Sequence, residues 1–158
     1  MDDKRYTPPR SDLRDQPPPP AAAWKAVLIG YAVDMGGTFV SSAVIGVIYT
    51  VVLLQQGLTQ EQVHAALTDV TPGSWFYVTS TLAGCGFSTL GGYWCARVAR
   101  RSPYRLGGVL AALSTLTGLA MSWDLYPPAQ LALLCVTAVA CVLLGSKFGA
   151  AYNAAKAA

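Results

Sequence analysis

Residues 24–54 read WKAVLIGYAVDMGGTFVSSAVIGVIYTVVLL, and Lys25 and Asp34 are the only charged side chains in that run. As a helix rising ~1.5 Å per residue, the run extends ~46 Å. The hydrocarbon core of a bilayer is ~30 Å thick, so the run is long enough to cross with length to spare. Two arrangements absorb the excess. One helix tilts and protrudes, or residues 21–33 lie partly in the interface and a bend at Gly36-Gly37 leads into a crossing over residues 38–54.

Working outward, three more apolar runs follow, at about 75–96, 106–123 and 128–149. Of the 158 residues 53% are hydrophobic and 12% charged, about half the charged share of a soluble domain. No Lys or Arg falls between Ala26 and Ala96, or between Leu106 and Ser146. Those gaps exclude a soluble domain, a disordered chain, a disulfide-stapled secreted module and a basic nucleic-acid binder. The expected fold is all-α, an integral membrane four-helix bundle occupying residues 21–150. A polar, disordered, Pro-rich tail (1–20) precedes it, and a short tail (151–158) follows. Pro17 to Pro20 remove backbone donors and favour polyproline II. The polar region before the first apolar run is too long for a secretory signal, and that run is longer than a signal core.

Charge sets the expected topology. With four crossings, all eleven Lys and Arg share one face: Lys4, Arg5, Arg10, Arg14 and Lys25; Arg97, Arg100, Arg101 and Arg105; Lys147 and Lys156. The opposite loops carry none. By the positive-inside rule both termini are cytoplasmic. The Ala, Leu and Gly content suits a bacterial inner membrane. Trp24, Trp75, Trp94, Trp123 and Tyr126 lie near span ends, as interfacial aromatics do. In the long outer loop, Thr59 with Gln62 reads as a capping box opening a short amphipathic helix. Pro72-Gly73 stops it, Ser74 can cap the second span, and Pro128 suits the first turn of the fourth.

Helices in lipid associate through close backbone approach and buried hydrogen bonds. Small residues therefore mark the expected seams: Ser80, Gly84, Ser88 and Gly92 on the second span, with Gly91 and Cys95 beside them; Gly107, Ala111, Ser114, Thr115 and Gly118 on the third; Gly145 and Gly149 on the fourth. On the first, Gly30, Asp34, Thr38 and Ser41 share a face.

Asp34 is the most informative residue. An acid inside a membrane is costly and marks a proton, cation or substrate site, with Thr38 and Ser41 as further oxygens. If the chain bends at Gly36-Gly37, Asp34 instead reaches the cytoplasmic surface and caps a helix or pairs with Arg97. His64, with Glu61 three residues before it, makes no metal site. Cys85 and Cys95, like Cys135 and Cys141, are too far apart along one helix for a disulfide; Cys95 and Cys141 lie close enough in level to touch. No catalytic motif, metal set or cofactor loop occurs. Arg97, Arg100, Arg101 and Arg105 are candidates for anionic-lipid contacts.

Gly91-Gly92-Tyr93-Trp94-Cys95-Ala96-Arg97 resembles the G-G-Y-x-x-A-R ending of the second span in small bacterial four-helix membrane proteins, and residues 33–38 are similar to the same group. The resemblance covers the first two spans and implies architecture, not activity. The leading functional expectation is a non-enzymatic protein acting through contacts: an accessory, assembly or regulatory subunit of a membrane complex, or a homo-oligomer, surrounded by lipid. The alternative is a small proton- or cation-coupled transporter or channel using Asp34.

Overall fold

A computed structural model describes residues 20–68, 71–99 and 102–157. It is all-helical, without strands among those residues: α1 (Pro20–Gln55), α2 (Gln60–Leu67), α3 (Trp75–Ala99), α4 (Pro103–Ser122) and α5 (Pro128–Ala157). The polar tail, Arg100 and Arg101 fall outside the described residues.

Three helices contain stretches long and apolar enough to cross a membrane: Ala23–Gln55, Pro103–Ser122 and Pro128–Lys156. The chain is an integral membrane protein on that ground. α3 has the length, 25 residues, but its Gly, Ser and Thr content makes it less apolar. Its position explains the composition, since α3 packs against α1, α4 and α5 and small residues allow that.

The local signals for helix ends are realised. The Thr59 hydroxyl accepts from the Gln62 amide at 3.4 Å, and the Thr59 amide donates to the Gln62 side-chain oxygen at 2.9 Å. Gly57 (φ 84°) and Gly73 (φ 102°) supply the left-handed turns on either side of α2, conformations that cost a residue with a Cβ. Ser74 Oγ accepts from the Tyr77 amide at 3.2 Å. Pro128 opens α5.

Of the two arrangements open to the first run, the structure takes the single helix: α1 is unbroken through Gly36-Gly37. Gly37 instead makes room for the Phe87 ring, which a Cβ would overlap. One expectation needs correcting: the short tail after residue 150 is absent as a separate element, because α5 runs on to Ala157. Alanines favour helix there, and Asn153 Nδ2 ties the extension to the end of α3, donating to the carbonyls of Ala96 (3.0 Å) and Arg97 (3.2 Å).

Contacts define the helix directions. Asp34 meets Ser88 while Tyr49 stacks on Trp75, so α1 and α3 are antiparallel. Gly145 meets Thr89 and Gly149 meets Tyr93, so α3 and α5 are parallel. The α4–α5 hairpin reverses direction again. Lys25, Arg97, Arg105 and Lys156 consequently gather at one end, and Glu61 and Asp124 at the other.

The tight packing is also at the basic end. A Cβ on Gly30 would sit 2.8 Å from the Gly91 carbonyl oxygen, and one on Gly91 would sit 2.7 Å from that of Gly30. Gly92 lies on the Val142 backbone, Gly107 on Ser146 Oγ, and Gly145 and Gly149 on the α3 backbone. Ser146, fully buried, donates to the Val142 carbonyl at 2.9 Å. Ala26, Val27, Cys95, Leu110, Ala111 and Val142 form the apolar core around these seams.

Candidate functional site: a hydroxyl-lined cavity ending on Asp34

Towards the other end the helices flank a half-open cavity of about 360 Å³. The expected small-residue stripes therefore divide in two. On α3, Gly92 and Ser88 touch neighbouring helices, whereas Gly84 and Ser80 line the cavity, with nothing within 4 Å of a Cβ on Gly84. On α4, Gly107 and Ala111 are packed, and Ser114, Thr115 and Gly118 line it. On α5, Gly145 and Gly149 are packed, while Leu134, Cys135 and Ala138 line it.

Asp34 sits where packing gives way to cavity. Its side chain is wholly buried, and Ser88 Oγ donates to Oδ1 at 2.8 Å. Oδ2 has no hydrogen-bond partner among the described residues. The other buried side-chain oxygens in that condition are Ser80 Oγ, Ser114 Oγ and Thr115 Oγ1, and all four residues line this one cavity. Buried polar groups are normally satisfied. Four orphans, from α1, α3 and α4, gather around this one cavity. Asp34 is also the only Asp, Glu, Lys, Arg or His among the lining residues.

Thr38 lines the cavity as expected, but Ser41 does not. Ser41 Oγ donates to the Thr38 carbonyl of its own helix at 3.0 Å, and Ser42 takes the cavity position. Successive helical residues are ~100° apart, so a one-residue step moves a side chain from the α3-facing side of α1 to the cavity. Tyr31 OH and Thr117 Oγ1, 3.0 Å apart, tie α1 to α4 near the Asp34 level. Tyr77 and Tyr126 also line the cavity, their rings 6.3 Å apart. Burial, with Tyr77 beside it, pushes the Tyr126 phenol up from its ordinary value.

Asp34 does not cap a helix at the surface or pair with Arg97. The Arg97 guanidinium lies 4.6 Å from the Tyr152 ring and 4.9 Å from that of Trp94, and Nη2 donates to Tyr152 OH at 3.4 Å. Lys156 Nζ approaches the other side of that cluster, 5.6 Å from the Tyr152 ring. Arg105 is exposed on the first turn of α4. All four cysteines are free, and the thiol beside Cys141 is Cys85. No group of three His, Cys, Asp or Glu is gathered among the described residues, and His64 is exposed on α2.

The sequence marked Asp34, Thr38 and Ser41. It placed Ser80, Gly84, Ser88, Ser114 and Thr115 in seams and offered no signal for Ser42. No protein-family model, curated protein or solved structure matches this chain.

Proposed function

We propose that this chain is a small proton- or cation-coupled carrier of the bacterial cytoplasmic membrane, with Asp34 as the anionic end of its solute site. In this reading α1, α3, α4 and α5 all cross the bilayer as a four-helix bundle. The basic end of that bundle faces the cytoplasm with both termini, and the cavity opens outward. The observation that carries the proposal is Asp34 Oδ2, fully buried and unpartnered on a wall with three further unpartnered hydroxyls. A carboxylate kept in that state is costly unless it meets a counter-charge, and coupling to a cation or proton supplies one.

The contact-based role draws less support. Gly91, Gly92, Gly107, Gly145 and Gly149 are engaged within the chain, so these glycines are not an open surface for a partner.

Reconstitution into liposomes tests the proposal. Imposed proton and sodium gradients should drive a flux, and Asp34→Asn should reduce it at least tenfold. An unchanged flux in that variant, or no flux in the parent, contradicts the carrier. Co-purification of a second membrane protein, together with absent flux, would favour the accessory role.

A further inference from the structure

We infer that the solute of the Asp34 cavity is a primary organic ammonium ion with an apolar body. The inference rests on the carrier reading and names its cargo.

Size comes first. About 360 Å³ falls within the ~300–1,000 Å³ of small-molecule sites. A bare cation needs oxygens closed tightly around it, six to eight at ~2.3–2.6 Å for calcium. This cavity has one carboxylate, and its hydroxyls are spread over four helices. Ser80 lies two turns from Ser88 along α3, or ~12 Å, so the polar groups are staged along the wall and not clustered in a cage.

Wall chemistry comes second. Phe76, Leu119, Leu131, Leu134 and Ala138 give the cavity sides of carbon, which suit a hydrocarbon body and waste a hydrated ion. The sole ionisable acid lies at the deep end. Oδ1 is held by Ser88, while Oδ2 remains free to accept an N–H. A primary ammonium has three N–H donors, and Oδ2 is an unpartnered acceptor for one of them. A quaternary ammonium has none and leaves that oxygen orphaned. Tyr77 and Tyr126 add aromatic rings to the lining, groups that attract a cation.

The test uses the full chain in lipid nanodiscs and calorimetric titration with 2-phenylethylammonium, its neutral counterpart 2-phenylethanol, sodium and calcium, each alone. Empty nanodiscs correct for partitioning. The ammonium should bind at least tenfold more tightly than the alcohol, and Asp34→Asn should remove that preference. Gly84→Leu fills open space on the wall and should abolish ammonium binding without touching Asp34. Equal binding of amine and alcohol overturns the inference, as does amine binding unaffected by Gly84→Leu. If sodium or calcium binds in an Asp34-dependent manner and the amine does not, the cargo is inorganic: the inference fails while the carrier stands. If no cation distinguishes the parent from Asp34→Asn, both fail.

Discussion

Gly145→Val should cost about 3 kcal/mol or more, the upper end of overpacking penalties. A Cβ at this position falls on the Thr89 carbonyl oxygen and lies 2.8 Å from its carbon and 2.9 Å from the Tyr93 amide nitrogen. These are backbone atoms in mid-helix, so no rotamer change relieves the clash. The α3–α5 seam must open, and Gly92 on Val142 and Gly149 on Tyr93 open with it. Gly108→Ala is the control. Nothing lies within 4 Å of a Cβ there, and helix propensity favours alanine by up to ~1 kcal/mol. Thermal unfolding in mild detergent, followed by tryptophan fluorescence, should show the first variant melting roughly 10 °C lower and the second unchanged or higher. A Gly145→Val variant as stable as the parent would mean that α3 and α5 are not packed as described.

Asp34→Asn should have the opposite effect on stability, with no loss and a gain of up to about 3 kcal/mol. The substitution keeps the size and the oxygen facing Ser88 while removing a buried carboxyl oxygen that has no partner among the described residues, a group whose desolvation costs ~1–3 kcal/mol. Ser88→Ala should destabilise by about 1.5–3 kcal/mol, because it removes the one hydrogen bond the carboxylate receives. Unfolding midpoints of the two variants separate the roles. A residue whose neutral replacement stabilises the fold and stops transport is kept for function. If Asp34→Asn instead unfolds the chain, Asp34 is a structural group and the site has been misassigned.

Charge and punctuation made much of the fold legible. The capping box at Thr59, the cap at Ser74 and the proline opening α5 are local devices, settled by residues three or four apart, and the structure uses each as read. The choice between a bent and an unbroken α1 was not legible. Gly36-Gly37 signals a bend only if nothing fills the notch, and the filler, Phe87, lies on another helix. Arg97 shows the same limit. Its neighbours on α3 offered a basic turn, but the Tyr152 ring that receives it comes from an extension of α5 that reads as a tail.

The site was half legible for a related reason. Asp34 stands out because an acid in an apolar run needs a cause. The small residues around it carry no such mark: Gly92, which touches the Val142 backbone, and Gly84, which borders open space, belong to one four-residue repeat. Whether helices meet or diverge along a stripe depends on their crossing, which no single helix encodes. Ser42 was missed in favour of Ser41 because a residue's angular position matters only once the partner helix is placed.

The most direct test of the central claim is the side from which the Asp34 cavity opens. Gly84→Cys, with Cys85, Cys95, Cys135 and Cys141 replaced, places one thiol in the open space along the wall in oriented vesicles. A membrane-impermeant thiol reagent should label it from the outer side alone, and 2-phenylethylammonium should slow the labelling. Labelling from the cytoplasmic side alone would contradict the account.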